Sequence, residues 1–211
     1  GRAGEGGSVA PRRALRGGGG AAIMRPMQTV ASLLWRRLDG PGHDACRLER
    51  NDVAWQLDGA AAFRHESGRV AQLHYRVRCD RHFHTQWATV RGWLGSTAID
   101  LSIARTAKGW TVNDVPVPDL AHCADLDLGF TPATNLLPIR RMHLQPGEKA
   151  EAPAAWLDLS EDGLGLLEQR YACIDGTRYG YAAPRFGVDV ELALSEDGFV
   201  LEYPALWSAE R

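Results

Sequence analysis

The stretch Ala71-Gln72-Leu73-His74-Tyr75-Arg76-Val77-Arg78-Cys79-Asp80 decides the fold. Ala71, Leu73, Tyr75, Val77 and Cys79 fall on one side of a period-two alternation, and Gln72, His74, Arg76, Arg78 and Asp80 on the other. That period, with β-branched and aromatic residues on the apolar side, predicts a strand with one buried face. The neighbouring runs repeat it. Phe83 and Trp87 share one register, and the run continues through Val90 and Trp93, which places Trp87 and Trp93 in the core. Ile99, Leu101 and Ile103 alternate with Asp100, Ser102 and Ala104; Val188, Val190, Leu192 and Leu194 alternate with Asp189, Glu191 and Ala193. Phe199, Leu201 and Tyr203 close the series. Apolar-in, polar-out alternation is the pattern of antiparallel sheets.

Turn signals fall between these runs at Ser67-Gly68, Lys108-Gly109, Asp162-Gly163, Asp175-Gly176 and Asp197-Gly198. Glycine there supplies the positive φ that tight hairpins require. Helical signal is confined to one turn at residues 116–120 and a short helix within residues 134–141, interrupted by Pro138. The expectation is one mostly-β domain of about ten to twelve strands, an antiparallel sheet curled so that its edges are protected.

The 211 residues carry a net charge of −2, but residues 1–26 hold five Arg against one Glu, eight of the 23 Gly and no aromatic side chain. A segment of that composition cannot bury enough apolar surface to offset chain entropy, so residues 1–26 are expected to be a disordered leader, with the β domain over residues 27–211. A transit peptide and an upstream start ahead of Met24 or Met27 are the other readings of it. The remaining body is mildly acidic, which gives no nucleic-acid face, and no apolar run approaches the roughly 18–20 residues of a membrane span. Cys46, Cys79, Cys123 and Cys173 are scattered with no C-x-x-C pair, as expected of reduced buried thiols in a cytoplasmic protein.

Candidate chemistry is sparse. Asp80-x-His82-x-His84, with His74 on the same parity, offers metal-capable groups, but Arg76, Arg78 and Gln86 share that face; it reads as a solvated strand face, and no metal or cofactor is expected. Asp125 and Asp127 alternate with Leu126 and Leu128, so both carboxylates share a face. They suit either acid–base work or pairing with Arg140 and Arg141. The following Thr131-Pro132-x-Thr134-Asn135-x-x-Pro138 is dense in side chains that bond their own backbone, the composition of a specified loop. Seven tryptophans serve either as core filler or as the floor of a sugar or lipid cavity. No nucleophile elbow, P-loop, G-x-G-x-x-G or H-E-x-x-H is present.

Asp125-x-Asp127 followed by Thr131-Pro132-x-Thr134-Asn135-x-x-Pro138-Ile139-Arg140-Arg141 resembles the signature of the bacterial putative glycolipid-binding family, formerly a domain of unknown function. Leu34-Trp35-Arg36-Arg37-Leu38, Tyr75 to Asp80, Trp110-Thr111-Val112, Gln169-Arg170-Tyr171 and Asp197-Gly198-Phe199-Val200-x-x-Tyr203-Pro204-x-x-Trp207 fit the same family in the same order. Asn113-Asp114 stands where the family usually has a Gly, and both residues tolerate the left-handed conformation. The resemblance implies a spiral β-roll or half-barrel that holds an amphipathic ligand.

The resulting expectation is non-enzymatic binding of a glycolipid or fatty-acyl compound in the concave face of the sheet. Asp125, Asp127, Thr134, Asn135 and Arg140 are the candidates for the polar head, and Trp35 and Trp110 for aromatic contacts. An enzyme using Asp125 or Asp127 as acid or base on a small polar substrate, and a partner-binding module without a cavity, are the alternatives.

Overall fold

The computed structural model describes residues 25–160 and 163–210. Nearly all of the expected leader, residues 1–24, lies outside them. Among the described residues are seventeen strands, more than the ten to twelve expected, because several are only three or four residues long. The first six form a long-stranded meander: β1 (Gln28–Arg37), β2 (Gly42–Arg50), β3 (Ala54–Arg64), β4 (Val70–Asp80), β5 (Thr85–Leu94) and β6 (Thr97–Thr106). Two short strands, β7 (Gly109–Val112) and β8 (Val115–Val117), continue it to an edge. After β9 (Asp125–Leu128) come a 3-10 turn (Ala133–Asn135) and the helix α1 (Leu136–Met142). The remaining strands are β10 (Lys149–Glu151), β11 (Ala154–Leu157), β12 (Leu164–Leu167), β13 (Arg170–Cys173), β14 (Arg178–Ala183), β15 (Val188–Leu194), β16 (Val200–Tyr203) and β17 (Trp207–Glu210).

Fourteen strands make one antiparallel sheet in the order β10-β13-β14-β15-β16-β17-β1-β2-β3-β4-β5-β6-β7-β8. The sheet curls without closing. β1 pairs with β17 near its middle, Leu34 opposite Glu210 and Arg37 opposite Trp207. A second sheet, β12-β11-β9, includes a parallel pair, β9 with β11, that the antiparallel reading did not contain.

The inner face of the meander follows the alternation. Leu57, Gly59, Ala61 and Phe63 of β3 stand opposite Val77, Tyr75, Leu73 and Ala71 of β4, all buried. Residues after β9 fill this face: the Phe130 ring lies 6.0 Å from Phe63 and 5.8 Å from Tyr75, and Leu136, Leu137 and Ile139 of α1 are buried in the same core. One polar knot sits inside it. Asp44 of β2 is fully buried; it accepts hydrogen bonds from the Tyr75 hydroxyl (2.8 Å) and the Thr131 hydroxyl (2.5 Å). Three segments far apart in the chain are thereby fastened at one carboxyl. The Tyr75 ring fits because its cross-strand partner is Gly59, where an added Cβ would meet the ring at 2.3 Å.

Several expectations change. Trp87 and Trp93 face outward, 38% and 40% exposed, because a register shift between Arg78 and Cys79 moves β5 by one residue and puts Ala88, Val90 and Leu94 inside instead. β4 ends at Asp80, so the aspartate–histidine run is a turn and not a strand face. Asp80 accepts the backbone N–H of His82 (2.8 Å) and of His84 (3.0 Å), and Phe83 between them has φ 66°. Of residues 116–120, expected to form one helical turn, Pro116 and Val117 belong to the edge strand β8, where the missing N–H of Pro116 is tolerated. Pro138 lies in the first turn of α1, where its lost donor is unneeded, so it does not interrupt the helix. Asn113 and Asp114, with φ 48° and 65°, both take the left-handed conformation in the two-residue turn between β7 and β8.

Two predictions follow from the Asp44 knot. Gly59→Ala displaces the Tyr75 ring and is expected to destabilise by about 2 kcal/mol, measured by urea unfolding. Burial raises the Asp44 carboxyl from 3.8 to about 7. The fold therefore favours its neutral form: that contribution is complete below the unfolded value and is lost as pH rises through 7. Melting temperature should fall between pH 5 and pH 8. Asp44→Asn, which keeps the neutral shape, should flatten that slope and gain of order 2 kcal/mol over the parent at pH 8.

Candidate functional site

An open cavity of about 660 Å³ lies between the small sheet and the arc of the large sheet that runs from β14 through β17 to β1. Asp127, Asn135, Tyr181 and Tyr203 bring polar groups into it; Phe130, Trp156, Trp207 and Phe186 supply aromatic walls. Leu157, Leu159, Leu167, Val188 and Leu206 add aliphatic surface, and the side chains of Arg37, Arg64 and Arg185 also border it.

Local structure places each of these. Asp127 sits on β9 opposite Trp156 of β11 in the parallel register, so a carboxylate and an indole are set side by side. The close approach of Trp156 depends on Gly129, where an added Cβ would meet the indole nitrogen at 2.7 Å. Arg185 lies over the Trp156 ring, 4.8 Å from its centroid, and Arg37 lies 5.5 Å from the Trp207 centroid while forking onto Asp39 (2.9 and 2.6 Å). Beneath them Asn135 donates to the Tyr171 hydroxyl (2.8 Å), and Tyr181 donates to the Gln169 side-chain oxygen (2.9 Å). The Tyr181 and Tyr203 rings meet edge to face at 5.6 Å.

The two aspartates of β9 share a strand but not a role. Asp125 is fully buried and held by Arg141 of α1, whose Nε and Nη2 donate to its two oxygens at 2.9 and 2.7 Å. Burial pushes the Asp125 carboxyl up, and Arg141 opposes that shift. Asp127 is 9% exposed and has no hydrogen bond or ion pair among the described residues. Burial, with a smaller push from the charge of Asp125, raises it to about 7. A carboxyl in that state exchanges a proton near neutral pH and has both oxygens available to whatever enters the cavity.

Of the residues singled out in the sequence, Asp127 and Asn135 line the cavity. The other five have different surroundings. Thr134 accepts the Leu128 N–H (3.2 Å) and pins the 3-10 turn to β9. Arg140 stacks over Phe83 (5.2 Å) and Trp55 (5.7 Å). The indole N–H groups of Trp35 and Trp110 donate to the backbone oxygens of Val200 (2.6 Å) and Cys123 (3.2 Å), inside the core. Arg37, Phe130, Trp156, Tyr181 and Trp207 were not singled out. Trp156 and Tyr181 lie outside every family stretch, and for them the signal available was only their aromatic character.

A family model described as "Putative glycolipid-binding" matches residues 32–209. A crystal structure of a DUF1089 family protein from Pseudomonas aeruginosa is similar to this chain at 29% identity and a TM-score of 0.71, covering 79% of this chain and 91% of that one. No curated protein matches. No helix among the described residues is long and apolar enough to cross a membrane.

The Asp125–Arg141 pair gives a prediction of its own. Arg141→Met leaves a buried carboxylate uncompensated and should cost about 3 kcal/mol at pH 8. The loss should shrink at pH 5, where Asp125 can take up a proton; unfolding curves of parent and variant at the two pH values measure it.

Proposed function

The chain belongs to the family described as putative glycolipid-binding, and on that premise we propose that it binds an amphipathic ligand of the glycolipid or acyl class in the cavity beside Asp127, without chemical turnover. The observation that carries this is the pairing of surfaces within one hollow. Aromatic faces and aliphatic side chains suit a sugar ring and an alkyl chain, and Asp127 and Asn135 suit hydroxyl groups. The volume, about 660 Å³, is in the range of small-molecule sites. Paired-carboxylate acid–base chemistry finds less support, because Arg141 holds Asp125 by both oxygens and leaves Asp127 as a single carboxyl.

The test is thermal unfolding with n-dodecyl β-D-glucoside and with dodecanoate, each below its micellar concentration, alongside native mass spectrometry of protein purified without detergent. Ligand at a hundred times its dissociation constant stabilises by about 2.7 kcal/mol, which for a domain of this size raises the melting temperature by roughly 5–10 °C. Trp207→Ala should weaken that shift at least tenfold in ligand concentration. An unshifted melting curve with both amphipaths, together with a bare apo mass, would refute the proposal.

A further inference from the structure

The floor of the cavity is rich in acceptors and poor in donors. The Tyr181 hydroxyl is committed to Gln169, the Tyr171 hydroxyl points to the same oxygen (3.4 Å), and the Asn135 amide nitrogen is committed to Tyr171. What remains facing the hollow is the Tyr203 hydroxyl, the Asn135 side-chain oxygen and the carboxylate of Asp127, which is nine-tenths buried and has no partner among the described residues. The charge that acts on it is that of Asp125, of the same sign. The basic side chains bordering the cavity form no ion pair with it: Arg37 is forked onto Asp39, Arg64 donates to the Gly68 carbonyl (2.8 Å), and Arg185 lies over Trp156. The residues bordering the hollow include four carboxylates, Asp39, Glu66, Asp127 and Asp158, against three guanidinium groups.

A buried carboxylate set among aromatic rings, with no cation directed at it, is the environment that receives an ammonium group. The geometry points to a ligand whose polar head carries a protonated primary amine, donating to Asp127 and to the Asn135 side-chain oxygen beside the Tyr181 and Tyr203 rings. This rests on the cavity being the ligand site and adds the chemical class of its head group. The ammonium brings both donors for these acceptors and the opposite charge that Asp127 lacks. A neutral sugar satisfies the first need and not the second.

The pH dependence of such binding depends on what surrounds Asp127. Asp125 lies on its own strand, and Tyr171, Tyr181 and Tyr203 face it from β13, β14 and β16; burial keeps all three tyrosines protonated well past neutral pH. His65, Arg64, Glu66 and Asp158 border the cavity farther out. Burial holds the Asp127 carboxyl near 7 in the free protein. Binding an ammonium group at pH 6 therefore requires Asp127 to give up its proton.

The experiment compares n-dodecyl β-D-glucoside with its 6-amino-6-deoxy counterpart, whose primary amine stays protonated at pH 8, by titration calorimetry on the full chain below the micellar concentrations. The amine should bind at least tenfold tighter at pH 8, and the preference should shrink at pH 5. At pH 6 its binding should release about one proton, read from the dependence of the enthalpy on buffer ionisation heat. Asp127→Asn should abolish the preference, so that the amine binds no tighter than the glucoside at pH 8. Should that variant fail to fold, the proton release and pH profile of the parent carry the test alone. Equal affinity for the two amphipaths at pH 8, or no proton release, overturns the amine assignment and leaves the binding proposal standing. Binding of neither overturns the amine assignment, and with an unshifted melting curve in dodecanoate and a bare apo mass it overturns the binding proposal as well.

Discussion

The carboxyl of Asp44 is the constraint on which the rest of the structure depends. It is wholly buried, yet it receives the hydroxyls of Tyr75 on β4 and of Thr131 after β9. A buried polar group costs free energy unless it is bonded, so these bonds select one arrangement of the segments that carry them. Thr131 also accepts the N–H of Ala133 (3.0 Å), which starts the 3-10 turn leading to Asn135 and α1. Phe130 and Thr131 border the cavity. The geometry of the hollow is thus transmitted from a residue that does not line it.

The cavity exists because the large sheet is covered unevenly. Under the meander, residues 128–139 and α1 pack down to the core. Under β14 to β17 the small sheet stands off, and the intervening space is only partly filled by Trp156, Tyr181 and Tyr203. Two aspartates two residues apart show how finely this boundary runs. Asp125 faces the helix and meets Arg141; Asp127 faces the hollow and meets no cation among the described residues. The same residue type on the same strand is structural in one place and available in the other, and the distinction lies entirely in what the neighbouring element brings.

Much of the fold was legible in the sequence because its signals are local. The alternation over residues 71–80 and the glycines at the hairpins act within a few residues, and Gly68, Gly109, Gly163, Gly176 and Gly198 all take positive φ. The errors came where a non-local event overrode local pattern. The one-residue shift opposite Arg78 and Cys79 turned Trp87 and Trp93 outward, and nothing in the alternation announces a bulge. The parallel pairing of β9 with β11 depends on two strands 29 residues apart in register, Asp125 opposite Ala154. The site was the least legible part. Asp127 and Asn135 lie in the stretch richest in chemistry, but Trp156, Tyr181 and Trp207 reach the cavity from separate strands, and each taken alone reads as an ordinary aromatic residue of a β core.

The pairing of β1 with β17 has a consequence for the order in which the molecule acquires its parts. The contact between Trp35 and Val200 spans 165 residues, so the seam between the two halves of the large sheet carries a heavy loop-closure cost and forms late. Arg37 and Trp207 are paired across that seam, and both border the cavity. On a ribosome, the meander from β2 to β8 can assemble while β1 still waits for its second neighbour. The hollow beside Asp127 gains its Trp207 wall only when β17 docks against β1, so its two sides are joined only once that seam has closed.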